Sequence, residues 1–261
     1  VRAPESRVAV VVTAVALGVG LLAVPGLLPD DEAPAAVGEV SVGTGPGSPP
    51  VAPVVAVAPV VAAAAVAAGA VGPPAADAAA GILEMTVPQS GTGALSVVAG
   101  SVPAPGPGEV RTVRVEVEDG LPVDGARFAE FALATLNDPR SWGRGGAMSF
   151  ARTDGDADVV VVLASPDTSA ALCRPLVTYG RLSCRSGSRA VLTLFRWVGA
   201  HPDYGDDRTG YRRYLVNHEV GHVLGHGHEA CPGPGERAPV MQQQTKGLLG
   251  CTPNSWPYPD G

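Results

Sequence analysis

Four of the chain's five histidines fall within residues 217–228, which read Asn-His-Glu-Val-Gly-His-Val-Leu-Gly-His-Gly-His. His218 and His222 are four residues apart, so on a helix their imidazoles leave one face about a turn from each other and can chelate one ion. Imidazole nitrogen suits zinc, which takes such ligands at about 2.0 to 2.1 Å and at catalytic sites uses three protein ligands with one position open to water. Glu219 follows the first histidine, where its carboxylate can reach that water without occupying the ion. There it would act as general base and then general acid in the hydrolysis of a carbonyl compound. Gly225 can adopt the left-handed conformation that ends a helix and turns the chain back, which places His228 as the third ligand. His226 reads as a solvent-facing or supporting residue, and His201 as a loop residue.

These side chains need a helix, and the pattern predicts one over Thr209–Leu224. Upstream, Val113, Val115 and Val117 alternate with Arg114, Glu116 and Glu118, the period-2 signature of a half-buried strand over Val110–Glu118. Asp124 can cap a following helix whose apolar positions are Phe128, Phe131, Ala132 and Leu136, and Asn137-Asp138-Pro139 stops it. Further strands are expected at Ala147–Arg152, Ala157–Ala164, Leu176–Ser183 and Ala190–Val198, the second buried on both faces by its valine run. The order makes an α/β or α+β domain over residues 82–261, with no internal repeat.

Four cysteines, at 173, 184, 231 and 251, fall inside this domain, and three pairings are possible. Cys173 with Cys184 and Cys231 with Cys251 each close a short loop bearing turn residues, and an exported domain with an even count reads as disulfide-bonded. The competing reading, thiolate ligation of a metal, lacks the close spacing of a zinc knuckle. Asp154, Asp156 and Asp158 alternate like a calcium loop but have no glycine at the sixth position, so a solvated turn is expected.

Residues 1–28 carry Arg2 and Arg7 ahead of an uncharged apolar run from Val8 to Leu28, 21 residues, long enough as a helix to reach about 31 Å. This is a signal-anchor or a cleaved signal peptide, either of which leaves the remainder extracytoplasmic, anchored to the membrane or secreted. Residues 29–81 are rich in Pro, Ala and Val and have no aromatic, Lys or Arg, the composition of a disordered linker. Val51–Gly72 imitates a second span, but Pro53 and Pro59 interrupt it. The net charge of −7, from 18 basic and 25 acidic residues, gives no basic footprint for nucleic acid. The basic side is 17 Arg and the single Lys246. No Gly-x-Ser-x-Gly elbow and no phosphate-binding loop is present.

The run His218-Glu219-x-x-His222-x-x-Gly225-x-x-His228 resembles the full zinc signature of the metzincin metalloproteases. Pro239-Val240-Met241, thirteen residues past His228, resembles the family's Met-containing turn. The resemblance implies a metzincin-like zincin domain with a mixed, mostly parallel sheet, zinc held by His218, His222 and His228, Glu219 as the catalytic carboxylate, and Met241 supporting the site from below. It further implies a substrate lying along an antiparallel edge strand, for which chain order nominates Leu176–Ser183, and a pocket walled by the segment after Met241, including Trp256 and Tyr258. From about Ile82 onward the chain also resembles an uncharacterised family of secreted or anchored proteins from high-GC Gram-positive bacteria. That likeness rests on the zinc motif, Cys231-Pro232-Gly233-Pro234-Gly235, Met241-Gln242-Gln243-Gln244 and Cys251-Thr252-Pro253-Asn254.

The expectation is a monomeric zinc endopeptidase whose partner is a protein or peptide substrate, with membrane contact only through an uncleaved amino-terminal helix. The alternatives are an envelope binding or scaffold module with a non-catalytic zinc, and a zinc amide hydrolase acting on peptidoglycan peptides. Glu219 separates catalyst from scaffold, because a purely structural site needs no carboxylate aimed at an open position.

Overall fold

The computed structural model describes residues 72–261, so the apolar run of residues 1–28 and the reading of residues 29–71 as a linker lie outside it. Helix α1 (Ala75–Ala79) comes first. It falls inside the stretch expected to be linker, and its Asp77 is only 1% exposed, so the folded unit starts several residues earlier than composition indicates. Composition misleads here because long-range contacts, the buried Asp77 carboxylate and the Ala80 carbonyl that accepts from the Trp197 indole, fix an alanine-rich stretch.

Strands β1 (Leu95–Val97), β2 (Glu109–Glu118), β3 (Met148–Arg152), β4 (Val159–Ala164), β5 (Cys184–Ser186) and β6 (Arg189–Thr193) form one open sheet in the order β1-β2-β4-β6-β5, with β3 also paired to β2. The β2–β3, β2–β4 and β4–β6 ladders are parallel, and the short β1 and β5 pair antiparallel at the two edges. Helices α2 (Gly125–Leu136), α3 (Pro166–Leu172), α4 (Leu194–Gly199) and α5 (Arg208–Val223) complete a mixed α/β domain. Asp124 caps α2 by accepting a hydrogen bond from Arg127 N, as its position before an apolar-periodic run requires.

Both faces of the sheet are covered. On one, Val113, Val115, Val161 and Leu192 join Phe128, Trp197, Tyr214 and Leu215 in the main core. On the other, Val160, Val162 and Val191 meet the Cys173–Cys184 pair and Leu172 in a smaller cluster. All six residues of β4 are buried, which explains its uninterrupted valine run. The charges of β2 expected in solvent are buried too: Glu116 pairs with Arg114, and Glu118 accepts hydrogen bonds from Gly91 N, Gly93 N, Ser165 N and the Thr168 hydroxyl. Burial would raise the Glu118 pKa, but these donors outweigh it and hold the carboxyl below its ordinary value.

Two expected strands are corrected. Leu176–Ser183 is a loop. Tyr179 and Gly180 take positive φ in succession, Arg181 N closes a turn onto Thr178 O, and only Cys184–Ser186 joins the sheet. Ala190–Val198 divides at Thr193, whose hydroxyl donates to Gly180 O, so that the chain leaves the sheet as α4 and seats Trp197 in the core. The disulfides Cys173–Cys184 and Cys231–Cys251 are formed. Asp158 accepts from the Thr112 backbone and hydroxyl in a turn before β4. Among the described residues no helix is long and apolar enough to cross a membrane.

Candidate metal centre

Helix α5 carries the motif and is buried along most of its length despite its polar sequence. Asp207 caps its start by accepting from Gly210 N at 2.7 Å. One turn in, the fully buried Arg212 donates to Asp77 at 2.6 Å and to Trp197 O at 2.7 Å, while Arg208 donates to the same carboxylate. Burial raises the Asp77 pKa, but its bonds to the two arginines override that, so the carboxyl sits below its ordinary value. Further along, Asn217 is held from both sides, accepting from the Ser141 hydroxyl and donating to Ser255 O. The helix is therefore fixed in rotation and in depth before the first ligand is reached.

The ring of His218 donates from Nδ1 to Val240 O at 2.9 Å, and that of His222 donates from Nδ1 to His226 O at 2.9 Å. A neutral imidazole that spends its proton on Nδ1 keeps a lone pair on Nε2, so both rings are oriented as ligands. Gly225, at φ +98°, ends the helix: Gly225 N donates to His222 O and His226 N to Gly221 O, the paired bonds of a Schellman turn. This turn supplies the carbonyl that orients His222 and reverses the chain so that His228 Nε2 stands 3.1 Å from His222 Nε2. One ring nitrogen from each of His218, His222 and His228 lies within 4.8 Å of the others, and the group could hold a metal ion. Burial presses the His218 pKa down to about 3 and lowers those of His222 and His228, so all three rings are neutral and free to ligate at neutral pH.

Met241, 1% exposed, lies on the segment whose Val240 carbonyl orients His218, and packs against the helix at Gly221. Gly221 is what lets it approach. A Cβ at that position would stand 2.6 Å from Met241 Sδ and 2.5 Å from Trp142 Cζ2, closer than real Cβ contacts come. Trp142 donates its indole N–H to Asn217 O and stacks on His226 at 4.2 Å, bracing the Schellman turn from outside. The Cys231–Cys251 bridge and the bond from Ala238 N to Thr252 O tie the segment between His228 and Met241 to the carboxy-terminal strap.

Glu219 is 4% exposed, its Oε2 is buried with no hydrogen-bond partner, and burial alone pushes its pKa up to about 8. It lines the cleft that also exposes His218 and His228, about 200 Å³ in volume, together with Leu176, Val177, Leu182, Gln243 and Lys246. A buried carboxyl with nothing to bond is costly, and in a cleft beside three convergent imidazoles it reads as a group waiting for a positive charge.

Residues 83–259 match the family described as protein of unknown function, DUF3152. The chain belongs to that family. The DUF3152 region of this chain contains the three histidines, Glu219, Met241 and both disulfides, whereas α1 with Asp77 lies ahead of it. No curated protein and no solved structure matches the chain.

Most residues expected at the site are brought together in this DUF3152 domain, with two exceptions. Trp256 lies under the guanidinium groups of Arg140 and Arg213, and Tyr258 packs on Trp142 and Arg144, so neither walls the cleft. Of the glutamines after Met241, Gln242 and Gln244 bond backbone inside the domain, leaving Gln243 at the cleft. Sequence reasoning missed Gly221, Trp142 and Tyr214. Tyr214 also lines the cleft, donates to Gln242 O, and is held well above its ordinary pKa by burial, so it stays a neutral phenol. Gly221 was the legible one, since glycine inside a helix otherwise costs about 1 kcal/mol relative to alanine and calls for a packing reason.

Proposed function

We propose that this chain is an extracytoplasmic zinc peptidase of metzincin type. The observation that carries the reading is the convergence of three histidine ring nitrogens beside a buried, unpartnered Glu219 oxygen, in a cleft that His218 and His228 line. Two ring nitrogens on one tetrahedral zinc stand about 3.3 Å apart, and His222 and His228 approach that spacing at 3.1 Å. The carbonyls of Val240 and His226 are the outer partners that ligating histidines usually have. The approach of Met241 Sδ to the ligand helix at Gly221 supports the metzincin reading, and two disulfides suit an oxidising compartment.

Zinc, when bound, supplies a Lewis acid that polarises a carbonyl and brings the pKa of water down to about 7. The chain supplies the rest. His218 and His222, locked by their Nδ1 bonds, fix the direction from which a substrate carbonyl is met. Glu219 ionises at neutral pH only when a cation stands near, and then takes the proton of the attacking water and returns it to the leaving amine.

The test is cleavage of a mixed peptide library by the full chain, with zinc content measured on the same sample and Glu219→Ala and a chelated sample alongside. Cleavage that vanishes in both controls, while Glu219→Ala retains about one zinc per chain as an uninvolved ligand shell would, is the expected result. Bound zinc with no cleavage of any peptide refutes the peptidase reading, and absence of zinc refutes the metal.

A further inference from the structure

One cation lies on the lining of the cleft in a chain of opposite net charge. The chain carries a net −7, yet Lys246, its single lysine, lines the cleft with His218, Glu219 and His228. Among the described residues Lys246 lies within ion-pair distance of no Asp or Glu.

The lysine is also held in place. It ends the short turn Gln244–Lys246, whose Gln244 is fully buried, donating to Asn254 O at 2.7 Å and accepting from the Tyr204 hydroxyl at 2.8 Å. Next to it, Thr245 shares a 2.9 Å hydrogen bond with the Tyr211 hydroxyl. A cation whose backbone is fixed, on the lining of a cleft and within ion-pair distance of no carboxylate, complements an anion. The same cleft, about 200 Å³ in volume, is lined by the apolar Leu176, Val177 and Leu182.

We propose that Lys246 selects substrates that carry a carboxylate beside an apolar side chain, the carboxylate being a free chain terminus or an Asp or Glu side chain. That the substrate is a peptide rests on the function proposed above; that it is anionic rests on Lys246 alone.

The test uses the zinc-loaded full chain carrying Glu219→Gln, so that binding is read without turnover. Calorimetry compares two matched pairs of leucine-containing peptides, one pair ending in a free carboxylate or an amide, the other bearing an internal Glu or Gln. The expected result is at least about threefold tighter binding of one acid over its neutral partner, the scale of an exposed ion pair. Adding Lys246→Ala brings that ratio to about one, Lys246→Arg restores it and Lys246→Glu inverts it, as a charge interaction requires. The pair with the larger ratio identifies the source of the carboxylate. Equal binding of acid and neutral partner, a ratio indifferent to Lys246→Ala, or no binding of any peptide overturns the proposal. Cleavage of the same peptides by the unsubstituted chain reads the other question: no turnover with a Lys246-dependent binding ratio intact refutes the peptidase and leaves the carboxylate site standing.

Discussion

Replacing Glu219 by Gln should destroy activity and at the same time stabilise the metal-free protein, by an amount that depends on pH. Burial raises the folded-state pKa from the ordinary 4.5 to about 8. In that window the unfolded chain has released the proton and the folded chain still holds it, so each pH unit above 4.5 costs the folded state about 1.4 kcal/mol. The stability contributed by the neutral carboxyl is thus fully present below 4.5 and lost as pH rises through about 8. The wild type should therefore lose about 3 kcal/mol by neutral pH and about 5 kcal/mol above pH 8, as upper bounds that relaxation and water entry reduce. Glutamine has nearly the same shape and never ionises, so the variant escapes this loss. Urea unfolding of both proteins, metal-free with disulfides intact, at about pH 4, 7 and 9 measures the difference directly. The variant should gain nothing at the lowest pH and about 2 to 5 kcal/mol at the highest. Saturating zinc should shrink the gain, because a cation held by the three rings compensates the carboxylate. A gain that is absent at high pH, or equal at all three, would refute the account of Glu219 as a buried acid whose charge the ion must neutralise.

Other outcomes follow from the same geometry. Gly221→Ala drives a methyl into Met241 and Trp142 and should cost about 1 to 3 kcal/mol, seen as a lowered unfolding midpoint, with weakened metal affinity. Asp77→Ala leaves the buried Arg212 without its carboxylate and should destabilise by about 3 to 5 kcal/mol; truncation to residues 82–261 should cost a similar amount, whereas a chain starting near residue 72 should not. Zinc should stay bound as pH falls below 6.5, because burial has lowered the pKa of all three ligands and protons compete only beneath those lowered values; equilibrium dialysis that finds half-release at or above 6.5 would contradict this.

The candidate site was legible because its residues are close in sequence. His218, Glu219, His222, Gly225 and His228 span eleven positions on one helix and its terminal turn, so local geometry alone brings them together. The disulfides were legible for the same reason, each closing a short loop. What escaped depends on distant contacts. Nothing local marks Trp142 as the brace of a turn more than 80 residues on, or Asp77 as the counter-ion of Arg212. The strand misread over Leu176–Ser183 has β-branched and apolar residues, but its tertiary setting turns them outward: Leu176 is 58% and Val177 71% exposed as the cleft wall. The charges of β2 read as a solvent face because alternation does not reveal that loops fold back over them.

The two disulfides also govern how the protein has to be handled. Cys173–Cys184 closes the ring that carries Leu176, Val177 and Leu182, and Cys231–Cys251 anchors the stretch between His228 and Met241, so each covalent loop bears part of the site. A dithiol reductant would open both loops and compete for the ion at once, and loss of function in its presence would mimic simple chelation. Expression in a reducing cytoplasm would yield the histidines without the walls around them. Secretion into an oxidising compartment, and metal removal by thiol-free chelators, are the conditions under which zinc dependence and cleft integrity become separate variables.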